Sequence, residues 1–265
     1  MTNVFDKSFG RQAFGLDPAN YHAARPPYPD IVWTTLREQA GLRAGIDILE
    51  IGAGTGLATQ HLLAAGPRRL VAVEPDVRLA EFLGEFLPDI EVIGLPFEDA
   101  VLPQAGFDLT VSATAFHWLD ALPSLRRIHE LLRPGGSVAL LWNTFGDVGR
   151  SDAFHEATKH LFVGHQVSPS GGGTMDLPYG LDVTARLNDL STTGFAPDEP
   201  VIFPWTLTLG PIDVRRLYAT YSNITILPVD ERERVLDGLA DVAEREFGGT
   251  VSRNATTSIY TASRA

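Results

Sequence analysis

Cysteine is absent from the 265 residues, which removes disulfides, thiol nucleophiles and thiolate-ligated metals together. Lysine is almost absent: Lys7 and Lys159 are the only two, so a phosphate loop of the form G-x-x-x-x-G-K-[ST] has no lysine to complete it. Positive charge is scarce as a whole. Against 33 acidic residues stand 21 Lys and Arg, for a formal net charge of −12. The pairs Arg68-Arg69, Arg126-Arg127 and Arg215-Arg216 are too scattered to form a basic patch. Such a chain repels a phosphate backbone, so a small-molecule substrate is expected and nucleic acid is not. No apolar run nears the roughly 18–20 residues that cross a bilayer, and Met1 to Lys7 form no apolar signal core. A soluble cytoplasmic protein without a membrane partner is the expectation.

What the chain does contain is a globular complement of 44% hydrophobic residues and one stretch that organises the rest. Ile46 to Ile51 is rich in branched apolar residues and reads as a buried strand, and Gly52-Ala53-Gly54-Thr55-Gly56 breaks it into a tight loop. Leu57, Ala58, His61, Leu62 and Leu63 then recur at near-helical spacing. The loop therefore sits at a helix N-terminus, where bare glycines and backbone N–H groups admit a ligand. The glycines fall at 52, 54 and 56, whereas a dinucleotide G-x-G-x-x-G would place its third at 57, which is Leu57.

With an acid two residues before the first glycine, Glu50-x-Gly52-x-Gly54-x-Gly56 resembles the first motif of the class I S-adenosylmethionine-dependent methyltransferases, and the likeness to small-molecule members is strong over about residues 46–142. The resemblance implies an α/β, Rossmann-like, seven-stranded and mostly parallel sheet with helices on both faces, an antiparallel last strand and a small helical cap. It implies S-adenosyl-L-methionine as cofactor and in-line methyl transfer to a nucleophile. Two rival readings stand beside it: a protein of the same fold that binds the cofactor without methylating, and a nicotinamide oxidoreductase, against which Leu57 argues.

The remaining site expectations follow along the chain. Residues 1–29 form an arm in which Tyr21-x-x-x-Arg25-Pro26-x-Tyr28-Pro29 resembles a segment that folds over the cofactor, so Tyr21 and Arg25 are expected at its methionine end; the alternative is a proline-rich surface arm. Asp30 is expected to cap a helix reaching about Ala40. Glu74 ends a second apolar strand, twenty-two residues beyond Gly52, where an acid can meet both ribose hydroxyls. Pro75 follows it in the cofactor set. The turn with Phe97 and Glu98 falls where the family reads adenine, and Ser112 and Ala113 end the fourth strand.

At that carboxyl end, His117 is the candidate general base and Trp118 a candidate substrate contact, with core packing as the alternative for both. Asn143, after the fifth strand, joins the substrate set. Core residues 30–145 would be completed by a C-terminal part, 146–265, contributing strands near 200–208 and 256–263 around a helical cap near 210–247. From the cap Trp205, Arg215, Tyr218 and Tyr221 are expected to face substrate, although Tyr218 and Tyr221 at helical spacing equally suit packing. Gly164 to Gly173 reads as a lid loop. His155, His160 and His165, five apart, scatter around a helix axis and lack H-E-x-x-H spacing, so no metal is expected.

Overall fold

The computed structural model describes residues 14–145, 149–163 and 177–264; the first thirteen residues of the arm, the expected lid loop and His165 lie outside them. A short 3₁₀ turn, Phe14–Leu16, leads into helix α1 (Pro18–Ala24) and α2 (Asp30–Gln39). The core then alternates as β1 (Asp47–Ile51), α3 (Thr59–Ala64), β2 (Arg69–Val73), α4 (Val77–Phe86), β3 (Glu91–Ile93), β4 (Phe107–Ala113), α5 (Ala121–Leu131) and β5 (Leu132–Phe145). Beyond it come α6 (Ala153–Thr158), α7 (Val183–Thr192), β6 (Phe195–Pro197), β7 (Val201–Leu209), α8 (Pro211–Tyr218), α9 (Ser222–Thr225), α10 (Val229–Arg245) and β8 (Val251–Arg264).

The sheet runs β3-β2-β1-β4-β5-β8-β6, with β7 also on β8. Strands β1 to β5 are parallel, and β8 is antiparallel to β5. Eight strands fill seven lanes. β6 pairs with Ala262 to Arg264 and β7 with Val251 to Ile259, both along the edge of β8 that β5 leaves open. Between them Asp198 still donates its N–H to the Thr261 carbonyl at 2.9 Å, while Pro200 has no N–H for the ladder. The seven-stranded expectation is thus met by an edge lane, the seventh, broken at 198–200.

Parallel strands covered on both faces must be apolar on both. Ile48, Ala72, Leu109 and Ala139 pack against Val32 and Leu36 of α2, Leu62 of α3 and Leu83 of α4. Leu49, Val71, Val138 and Leu140 face the other way, toward Leu125 and Ile128 of α5 and Leu190 of α7. The cap has its own core: Leu209 and Val251, ending β7 and starting β8, join Val214, Leu217, Leu236 and Leu239 of α8 and α10.

Several local readings differ from the outcome. The helix after the glycine loop begins at Thr59, not Leu57, because residues 54–58 form a turn closed by Gly56 N–H to the Ala53 carbonyl at 3.0 Å. Asp30 lies inside the first turn of α2, and Pro29 occupies the cap without a side-chain bond. Helix α7 and strand β6 are additions the hydrophobic pattern did not reveal. Among the described residues no helix is long and apolar enough to cross a membrane.

Candidate active site

Above the carboxyl ends of β1, β2 and β4 lies a cavity of about 310 Å³. Its floor is backbone. At the end of β1, Gly52 and Ala53 both donate N–H groups to the Val73 carbonyl, at 2.8 and 3.3 Å, which turns the chain away from the sheet. Gly52 has φ +71° and a Cβ there would stand 2.4 Å from the Ala115 Cβ, so glycine is required on both counts. Gly54, φ +59°, lines the cavity, and a Cβ there meets nothing within 4 Å. The loop is held by Glu74, whose Oε2 accepts the Gly54 N–H at 2.8 Å while Oε1 accepts that of Asp76 at 2.9 Å.

Beneath the loop, Glu50 is fully buried, and its carboxyl oxygens have no hydrogen-bond partner beyond the nearby Thr59 hydroxyl, which favours the charged form. Burial, and secondarily the neighbouring Glu74 charge, pushes its pKa up to about 8. Desolvation disfavours the charged form of an acid in this way.

The roof is made of side chains. Arg25 donates through Nη2 to the Thr220 carbonyl at 2.9 Å, and Asn20 of α1 donates to the Arg216 carbonyl at 3.1 Å, which ties the arm to the cap. The Arg25 guanidinium lies 5.1 Å from the Tyr21 ring centre and 5.0 Å from that of Tyr221. Phe14 continues the aromatic wall, with edge contacts to Tyr21 and Trp118. Tyr28 anchors the proline segment through its hydroxyl, 2.7 Å from Thr114 Oγ1. Thr114 itself has φ +54°, a rare conformation for a β-branched residue at the end of β4. Buried polar atoms are normally bonded. Arg25 Nε, Thr55 Oγ1 and the Tyr221 hydroxyl have no partner, and these atoms belong to residues lining the cavity.

Of the residues singled out in the sequence, Tyr21, Arg25, Glu50, Gly52, Ala53, Gly54, Thr55, Glu74, Pro75, Phe97, Ala113, His117, Trp118, Asn143 and Tyr221 all line this cavity. Others do not. Gly56, φ +92°, faces the Leu83 side chain of α4 and serves packing. Ser112 is buried, donating its hydroxyl to the Ile51 carbonyl at 3.0 Å. Glu98 is exposed at the adjoining turn. Trp205, on β7, donates its indole N–H to Thr257 Oγ1 at 2.9 Å. Tyr218 is buried in the cap core with Arg253 against its hydroxyl. Arg215 pairs with Glu233 and Asp237 of α10.

His117 is buried at the cavity wall, and its Nδ1 accepts the indole N–H of Trp142 at 3.1 Å. Sequence reading also passed over Phe14, Tyr28, Thr114, Trp142, Phe145 and Asn223, which line the cavity too. Tyr28 had a signal, since it stands in the Arg25-to-Pro29 segment; Trp142 read only as the end of an apolar strand. Among the described residues no group of three His, Asp or Glu is placed to hold a metal ion.

Comparison with known proteins agrees with this geometry. Residues 49–140 match a family model described as a methyltransferase domain. An uncharacterized methyltransferase of Schizosaccharomyces pombe is 27% identical over 229 residues, covering 84% of this chain and 84% of that protein. Among solved structures, a putative type II methyltransferase from Anaeromyxobacter dehalogenans has TM-score 0.61 and 23% identity, with 90% of this chain and 97% of that one covered. The [4+2]-cyclase SpnF shares the fold at TM-score 0.61 with 12% identity, over 99% and 98% of the two chains.

Proposed function

We propose that this chain, a class I S-adenosylmethionine-dependent methyltransferase, transfers a methyl group to a small-molecule acceptor held beneath the arm and cap. When bound, the cofactor supplies a methyl group already activated by a positive sulfonium, so alignment and exclusion of water are what the protein must add. The backbone of Gly52 to Thr55 and the carboxylate of Glu74 would hold the nucleoside, with Phe97 beside it. Arg25 and Tyr21 would hold the methionine end, through a charge-assisted bond to its carboxylate. The faces of Trp118 and Tyr221 can attract positive charge by cation–π interaction.

One observation carries the reading: a glycine-bared backbone floor and a roof with unpartnered donors enclose the same cavity. A cavity of this size, lined mainly by apolar and aromatic groups with a few polar atoms, suits a small ligand more than a chain. Calorimetry with S-adenosylhomocysteine, S-adenosylmethionine and NAD tests the floor, and the first two are expected to bind while NAD does not. Methyl-labelled cofactor incubated with a small-molecule extract tests the transfer. Binding of S-adenosylhomocysteine with no label moved would instead favour a non-methylating use of the fold, as the cyclase likeness illustrates; fold alone does not fix reaction.

A further inference from the structure

We propose that Thr114 is a positioning residue for methyl transfer: its hydroxyl fastens the proline segment of the arm to the carboxyl ends of β4 and β5, and so sets where Tyr28 and Arg25 stand over the cavity. The proposal rests on the reading of that cavity as the cofactor site. Among the described residues only Ala105 and Thr114 carry a side chain at positive φ. Ala105, at +49°, lies in an exposed turn between β3 and β4, whereas Thr114, at +54°, lines the cavity. A branched Cβ is unfavourable in that conformation, and glycine would serve the backbone without the strain. Where the floor needs positive φ the chain does use glycine, at 52, 54 and 56. What threonine has and glycine lacks is the hydroxyl, and strain of this kind persists where the surrounding contacts impose it.

Those contacts close into a ring. Thr114 is pinned to β5 by its own N–H, which donates to the Leu141 carbonyl at 2.7 Å. Its Oγ1 lies 2.7 Å from the Tyr28 hydroxyl and accepts the backbone N–H of Asn143 at 3.3 Å. Asn143 in turn donates through Nδ2 to the Pro27 carbonyl at 3.4 Å, which returns the path to the residue before Tyr28. The arm needs side chains to hold it here. Pro26, Pro27 and Pro29 have no N–H, so Tyr28 alone carries a backbone donor in this segment and no ladder can tie it down. Tyr28 is 8% exposed, with its ring in edge contact with Trp33 of α2 at 6.2 Å between centres. Three residues earlier Arg25 lies against the Tyr21 and Tyr221 rings and donates to the Thr220 carbonyl of the cap. The segment is thus fixed to the cap at one end and to the sheet at the other, and Thr114 is the anchor on the sheet.

Calorimetry with S-adenosylhomocysteine, set beside thermal melts, separates positioning from folding. Thr114→Ala loses the hydroxyl and keeps a side chain at positive φ, whereas Thr114→Ser keeps the hydroxyl. Affinity is expected to fall about tenfold in the first, the scale of one lost hydrogen bond, and to stay within about threefold of the parent in the second. Thr114→Gly relieves the strain and should melt above Thr114→Ala, yet bind no better. Tyr28→Phe should match the loss in Thr114→Ala, and the double variant should lose no more than either single, because both remove one and the same contact. Parent-like affinity in Thr114→Ala or Thr114→Gly, a loss that serine does not restore, or losses that multiply in the double variant each overturn the proposal. If the Thr114 variants do not fold, Tyr28→Phe still decides, since affinity within about threefold of the parent there overturns it. Failure of the parent itself to bind S-adenosylhomocysteine would overturn the reading of the cavity, and this proposal with it.

Discussion

The floor of the cavity comes from backbone in two short stretches, Glu50 to Thr55 and Glu74 to Pro75, whereas its roof comes from side chains drawn from both ends of the chain. Gly54 and Glu74 are 20 residues apart and joined by one hydrogen bond; Arg25 and Thr220 are 195 apart and joined by another. A backbone floor recognises what is common to a cofactor. On the proposed function, the side chains of the roof would set the identity of the acceptor. The two halves should therefore fail differently when altered.

The largest effect is expected at Gly54. With φ +59° and open space over it, Gly54→Val places a branched side chain in the cavity and adds about 1–2 kcal/mol of left-handed strain. Calorimetry should show S-adenosylhomocysteine affinity reduced by at least about 100-fold, roughly 2.7 kcal/mol, with the circular dichroism spectrum unchanged. Retained affinity would mean that ligands do not approach the floor.

Glu50 sharpens the comparison because it lies under the floor with its proton retained to about pH 8. A folded-state value above the unfolded one means that the native protein holds a proton the unfolded chain has lost. Stability from this group is therefore full below about pH 4.5 and falls as pH rises toward 8. Glu50→Gln removes that loss. Thermal melts at pH 9 should show the variant more stable than the parent, by an amount on the order of a few kcal/mol, and little different near pH 4. A parallel pH dependence in both proteins would show that Glu50 is not the group titrating.

Glu74→Ala is expected to weaken S-adenosylhomocysteine binding by about 1–3 kcal/mol, the scale for hydrogen bonds to a charged acceptor. Part of that loss would come through the Gly54 amide, which the carboxylate holds in place. On the roof, Arg25→Leu removes a cation lying between two rings, a contact worth about 0.5–2 kcal/mol, and unties α1 from the Thr220 carbonyl. Limited proteolysis of the arm should become faster and cofactor affinity fall by about tenfold. An arm as protected as in the parent would show that Arg25 does not hold the roof.

How much of this was legible follows the same division. The floor could be read because strand, loop and helix are contiguous, and the position of Glu74 follows from the repeat length of a βαβ unit. The fold was legible for the same reason, except where short elements such as β6 carry too few residues to show a period. Tyr218 and Tyr221, paired by helical spacing, do meet with ring centres 4.8 Å apart, although α8 ends at Tyr218 and Tyr221 sits in extended backbone beyond it. Tyr218 therefore lies within the cap core, and Tyr221 packs against that core while also lining the cavity. The Trp142 to His117 bond joins strand β5 to the turn after β4, 25 residues away, and no local pattern marks it.

The smallest effect is expected at Trp205, which the sequence placed at the substrate and the structure places on the far side of β8. Its indole N–H reaches Thr257 Oγ1 at 2.9 Å, and Thr257 in turn donates to Asn143 Oδ1 at 2.7 Å, so a two-bond polar chain separates it from a residue that lines the cavity. Trp205→Phe removes the first donor while Thr257 keeps its bond to Asn143. The loss should be about 0.5–1.5 kcal/mol of stability, the net value of one such bond, with cofactor affinity and turnover within about threefold of the parent, since the wall itself is untouched. A larger change in turnover, with affinity intact, would show that Asn143 depends on the whole chain for its position, and would extend the roof's side-chain recognition outward to β7.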